Sequence, residues 1–117
     1  MTEFVYLYRG YSPRASPEEM QRKTAKWMTW FKELSDNGHL KSLGDPLQPG
    51  GKVVKGKKKQ VIDGPYAEVK DVVGGYSIIV ARDIEQAVEF SLGCPIFEDD
   101  GSVEVRPIGQ IGLADGY

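Results

Sequence analysis

Cysteine is almost missing from this chain: Cys94 stands alone among 117 residues. No internal disulfide can form, so packing must hold the fold, and a cytoplasmic location is the default expectation. Histidine is equally scarce. His39 has no second histidine with which to build a His-pair metal site, and no metal is expected. No apolar run approaches the roughly 20 residues that a membrane span requires. The opening Met1-Thr2-Glu3-Phe4-Val5-Tyr6 lacks the basic start, long apolar core and cleavage site of a secretion signal. Excess charge is lacking too. A formal net charge of −2 gives no global attraction for nucleic acid or an anionic membrane, so neither is expected as a partner. The chain shows no repeat, low-complexity tract or linker, and no glycine-rich loop entering a helix, so no cofactor is expected.

What is present has the makeup of one globular domain over residues 1–117, 40% apolar and 27% charged, long enough to bury a core unaided. Phe4 to Arg9 is aromatic and β-branched and reads as a strand, with Phe4, Tyr6 and Tyr8 on one face and Val5 and Leu7 on the other. Ser16-Pro17-Glu18-Glu19 is a helix start: Ser16 caps, Pro17 suits the first position and Glu19 completes a capping box. Met20, Thr24, Trp27, Phe31 and Leu34 recur at spacings of four and three, widened by Trp30, and predict a buried stripe. Asn37-Gly38 stops the helix.

His39 to Leu43 opens a second strand. Val53-Val54 and Val61-Ile62 flank Lys55 to Lys59, predicting an extra hairpin at about 52–62 with a lysine-rich tip. Asp63-Gly64-Pro65 reads as a turn. Gly75 to Ala81 is apolar on both faces, as a central strand is. Asp83 caps a second helix with Ile84, Ala87, Val88 and Leu92 on its inner face, and Gly93-Cys94-Pro95 ends it. Ser102 to Ile108 closes the pattern as a strand. The order strand, helix, strands, helix, strand predicts an α+β, ferredoxin-like fold, two helices on one face of an antiparallel sheet. Helices on one face leave the other face of two apolar strands uncovered. A homodimer packing sheet to sheet covers it; the competing arrangement folds Pro46 to Lys59 back over it.

Candidate chemistry gathers at Asp63. Gly64 and Pro65 can aim its carboxylate and nearby amides at one point, with Tyr66 beside them and Gly74-Gly75 permitting close approach of a ligand or another chain. The competing reading is a local Asx turn. His39 is a candidate lone general base beside Asp36 or Asp45, or a plain surface histidine. Lys52, Lys55, Lys57, Lys58 and Lys59 suit phosphate, or simply protect a sheet edge. Trp27, Trp30 and Phe31 read as core, and Cys94 as packing. Arg9 and Arg106 can clamp an anion or form surface ion pairs. Two functions follow. One is a dimeric binding or regulatory module holding a small polar molecule, oriented by Asp63 and Arg9 between Tyr66, Tyr76 and Gly75. The other is a cofactor-free lyase or hydrolase with Asp63 as acid/base, assisted by His39.

Asp63-Gly64-Pro65-Tyr66-Ala67-Glu68 followed by Gly74-Gly75-Tyr76 resembles the YCII-related family in its DGPF-type branch, with Tyr66 in place of the motif's phenylalanine. Ser16-Pro17-Glu18-Glu19-Met20 and Gly101-Ser102-Val103-Glu104-Val105-Arg106-Pro107 extend the resemblance from about Phe4 to Ile108. It implies a ferredoxin-like domain that dimerises through its sheets. In some members a histidine on the first helix and a nearby aspartate resemble an acid–base pair, and one relative type is a dehydrochlorinase of a hydroxyquinone. A link to extracytoplasmic-function sigma factors is also implied. Counting back from Asp36-Asn37-Gly38, Asp36 matches that aspartate, and Trp27 stands where the histidine would.

Overall fold

The computed structural model describes residues 1–10, 16–64 and 71–109. It is a mixed α+β structure: β1 (Thr2–Arg9), α1 (Pro17–Asp36), β2 (Leu40–Ser42), β3 (Gly51–Lys55), β4 (Gln60–Gly64), β5 (Val73–Ala81), α2 (Ile84–Ser91), a 3-10 turn (Pro95–Asp99) and β6 (Ser102–Pro107). Four strands form one antiparallel sheet in the order β2-β5-β1-β6, and β3-β4 form a separate hairpin. No helix among the described residues is long and apolar enough to cross a membrane.

Strand alternation puts the core on one face. Phe4, Tyr6 and Tyr8 are buried and lie opposite Ile79, Ser77 and Gly75 of β5, while Tyr6 and Tyr8 also face Val105 and Val103 of β6. Both helices pack on this face. The Tyr6 ring stacks on Trp30 of α1 at 6.0 Å, and its hydroxyl donates to the Ala87 carbonyl of α2. Trp30 Nε1 donates to Phe90 O at 3.1 Å, tying α1 to α2. Tyr8 donates to Ser77 Oγ at 2.9 Å, and Ser77 donates onward to Leu43 O at 2.7 Å. Pairing each buried hydroxyl avoids a desolvation cost of about 1–3 kcal/mol per group, and no buried side-chain polar atom among the described residues lacks a partner.

The helix caps form as expected. Ser16 Oγ accepts from Glu19 N at 3.2 Å, and Asp83 Oδ1 from Gln86 N at 2.9 Å. The buried faces differ from expectation. On α1 only Trp30 and Leu34 are buried; Trp27 and Phe31 are half-buried, and Met20 and Thr24 exposed. On α2 the inner face is Ala87 and Ser91, while Ile84, Val88 and Leu92 are exposed. The small Ala87 lets the helix sit directly on Tyr6, and this rotates the larger side chains outward.

Two other expectations are refined. Asp63 and Gly64 are the last residues of β4, where Asp63 faces Lys52 across the hairpin, and Pro65 of the expected turn lies outside the described residues. Opposite charges on facing strands favour that continuation. Gly74-Gly75 does admit a close backbone, but it is the chain's own: Pro46 bridges to Gly75, and Leu47 N donates to Gly74 O at 2.8 Å. A Cβ on Gly75 would sit 3.2 Å from Asp45 O. Gly44, at φ +68°, is confined more tightly, since a Cβ there would lie 1.8 Å from Tyr76 O. Among the described strands, β3 and β4 pair with each other and not with the four-stranded sheet.

Burial also sets a pH dependence. It pushes Cys94 up to about 12, with a hydrogen bond from the Ile96 backbone pulling the other way, and moves Tyr6 and Tyr8 upward as well. An acid whose folded pKa is raised holds its proton while the unfolded chain has lost it, so stability falls as pH rises through that interval. Denaturant midpoints are therefore expected to decline between pH 9 and pH 12, the thiol's unfolded and folded values. The Cys94 thiol is expected to react with a disulfide reagent only after unfolding; rapid labelling of native protein at pH 8 would contradict this packing.

Candidate functional site

The upper half of α1 stands away from the sheet, and the gap is a cavity of about 440 Å³. Met20, Thr24, Trp27 and Phe31, the same stripe that is incompletely buried, form one wall. The end of β1 and the start of β5 supply Tyr8, Gly75, Tyr76 and Ser77, and the Leu43–Pro46 segment closes the side. The 3-10 turn supplies Ile96 and Asp99 at the rim. Thus α1 is packed at its C-terminal half and propped at its N-terminal half. The props are charged: Lys23 Nζ meets Asp99 Oδ1 at 2.9 Å and Lys26 meets Glu98 at 2.7 Å.

The walls are chiefly apolar and aromatic. Trp27 meets the edge of Tyr8 with ring centroids 5.0 Å apart at 89°, a favoured arrangement. Polar groups enter at separate points: the Lys23–Asp99 pair, Thr24, Asp45 and the Tyr8–Ser77 chain. Tyr8 is a poor proton donor to a substrate, because burial above all raises its pKa and Ser77 already takes its hydrogen bond. The cavity therefore offers a shaped apolar chamber with a few fixed polar contacts, the usual form of a small-molecule site. Trp27 belongs to the aromatic wall of the cavity. Its indole donates one hydrogen bond and accepts no proton, so it serves as a wall and not as a base.

The residues singled out from sequence are not gathered in one place. Gly75 and Tyr76 line the cavity. Asp63 is on the hairpin, its side chain 88% exposed and paired with Lys52. Arg9 donates through Nε and Nη2 to Glu104 Oε1, at 3.1 and 2.8 Å, and through Nη1 to Asp71 O at 2.6 Å. Tyr66 lies outside the described residues. His39 sits at the far end of α1. Its Nδ1 lies 3.0 Å from Val80 O, which as a carbonyl can only accept, so Nδ1 carries hydrogen. The ring packs on Phe90 at 4.3 Å, while Asp36 pairs with Lys32 and Asp45 lies at the other cavity. A second cavity of about 510 Å³ opens beside His39, between Glu33 and Glu89. No group of three or more His, Cys, Asp or Glu among the described residues is placed to hold a metal ion.

Sequence reasoning gave Lys23 and Asp99 no part in a site, took Asp45 only as a partner for His39, and assigned Thr24, Trp27 and Phe31 to the buried stripe. One signal was available: the α1 stripe runs about four turns, longer than one contact with the sheet requires, and contains a threonine toward its upper end.

The chain matches the model of the YCII-related domain over residues 4–111. No curated protein matches it. Among solved structures it is similar to the 5-chloro-2-hydroxyhydroquinone dehydrochlorinase of Burkholderia phenoliruptrix AC1100, in complex with 2,5-dihydroxybenzoquinone. The identity is 16%, the coverage 92% of this chain and 94% of that one, and the TM-score 0.46. With the family model spanning almost its entire length, the chain belongs to the YCII-related family.

Proposed function

We propose that this chain is a DGPF-type member of the YCII-related family, a ferredoxin-like domain that pairs through its sheet with a second copy and binds a small organic molecule. One observation carries the binding reading. Met20, Thr24, Trp27 and Phe31 of the α1 stripe line an open cavity of about 440 Å³, Trp27 and Phe31 packing against the core at the same time. Leaving Met20, Trp27 and Phe31 partly wet forfeits roughly 25 cal/mol per Å² of apolar surface that a ligand can recover. The favoured ligand has an apolar, ring-sized body to meet Trp27, Phe31 and Tyr8, and a polar end to meet Lys23–Asp99 or Thr24. A binding or regulatory role is favoured over acid/base chemistry, because Asp63 and His39 are remote from this cavity.

The sheet supports the pairing. Val5, Leu7, Tyr76, Ile78 and Val80 alternate with the core residues and so share the face opposite the helices. The molecule is 18 Å thin in its shortest direction, the depth of two layers and not three. A second copy related by a two-fold axis would supply the missing layer.

A thermal-shift screen of metabolites tests the binding. A ligand at 100 times its Kd contributes about 2.7 kcal/mol, on the order of 10 °C in Tm for a domain of this size. The shift is expected in wild type and Asp63→Ala alike, and not in Thr24→Phe, which fills the cavity. A shift lost in Asp63→Ala and kept in Thr24→Phe would move the site to the hairpin. Sedimentation tests the pairing: twice the 13.0 kDa chain mass is expected at micromolar concentration, falling to one chain in Ile78→Arg. A wild-type monomer would remove it.

A further inference from the structure

Two surfaces among the described residues expose apolar side chains, and they complement each other. The first is the β3–β4 hairpin. Its strands of five residues reach about 17 Å, and among the described strands they pair only with each other. A lone two-stranded hairpin is marginally stable in water. This one nonetheless displays the facing pair Val54 and Val61, 63% and 60% exposed. The radius of gyration, 16.0 Å, exceeds the roughly 13 Å expected of a compact chain of this length, in keeping with an arm standing off the body.

The second surface is the outer side of α2. Ile84, Val88 and Leu92 recur every fourth residue and are exposed, with Glu85 and Glu89, also exposed, directly beside them. Charge is divided between the two parts. The hairpin, Gly51–Gly64, holds five lysines and one aspartate, a net +4; the whole chain is −2, so the remainder is −6. A basic arm with an apolar pair therefore faces outward from an acidic body that presents an apolar helical stripe.

We infer that the hairpin is an arm that docks on a second copy of this chain, with Val54 and Val61 against Ile84, Val88 and Leu92 and the tip lysines near Glu85 and Glu89. Both surfaces are exposed on each chain, so a second copy offers each of them its complement. It is independent of sheet-to-sheet pairing, since α2 covers the opposite side of the sheet. Complementary charge steers the encounter and fixes its orientation, and the apolar strip supplies adhesion.

Carbodiimide cross-linking of an equal mixture of ¹⁴N- and ¹⁵N-labelled protein reads the contact directly. Mixed-isotope products joining Lys57–Lys59 to Glu85 or Glu89 are expected. Reversing the tip (Lys57→Glu, Lys58→Glu, Lys59→Glu) or the helix (Glu85→Lys, Glu89→Lys) should weaken the association behind them about tenfold or more. With reversed tips paired to reversed helices on the other copy, sedimentation should recover the association. The hairpin contains no aromatic residue, so near-ultraviolet circular dichroism verifies that the tip variant keeps its fold. Cross-links confined to same-isotope products, or tip variants that associate like wild type, would overturn the arm. A sheet-face dimer that survives those results, or cross-links that persist in Ile78→Arg monomers of the sheet pair, separates this contact from the other.

Discussion

The indole of Trp30 lying on the ring of Tyr6 is the contact on which the other features depend. It joins α1 to the central strand. Through Trp30 Nε1 and the Tyr6 hydroxyl it also fastens α2, by way of Phe90 O and Ala87 O. Three elements far apart in sequence meet at two aromatic side chains whose polar atoms are both satisfied. Aromatic pairs of this kind add about 0.5–1.5 kcal/mol beyond the area they bury. The consequence for function is geometric. Pinning α1 at Trp30 and Leu34 fixes one end of a long helix, and the Lys23–Asp99 and Lys26–Glu98 pairs brace the other end against the 3-10 turn. The space between is the cavity.

That arrangement explains a conflict between burial and periodicity. An apolar stripe at helical spacing ordinarily marks a core face. Here the stripe serves two purposes: Trp30 and Leu34 toward one end are buried, Met20 toward the other lines a chamber, and Trp27 and Phe31 between them do both. The pattern is identical in both halves, so periodicity alone could not divide them. Much of the fold was legible for the opposite reason. The alternation in β1, the Ser16-Pro17 start, the Asp83 cap and the lysine-tipped hairpin each rest on local chemistry that acts within a few residues. The α2 face was not legible, because Ala87 is a weak hydrophobic signal, and yet the small residue is what fits over Tyr6.

The site shows the same division. Gly75 and Tyr76 could be read from sequence, since a glycine in a central strand announces a close neighbour. That neighbour is Asp45-Pro46, a segment whose position depends on contacts 30 residues away and has no local signature. Asp63 drew attention through its motif, but a motif carries no information about which cavity a strand end faces. With Lys52 opposite, its carboxylate completes a cross-strand pair on the arm. At the first helix the cavity offers the flat aromatic wall of Trp27, whose indole cannot serve as a base.

The two indoles permit a direct test of where a ligand goes. Trp27 lines the cavity, whereas Trp30 is buried and its N–H is held by Phe90 O. Nitrogen-15 correlation spectra resolve both indole N–H signals. Titration with a ligand found by thermal shift should move the Trp27 signal and the amides of Tyr8, Thr24 and Gly75, and leave Asp63 and the hairpin in place. Shifts centred on Asp63 and the hairpin, or on Trp30 and His39 with Trp27 unmoved, would contradict the assignment of the cavity as the functional site.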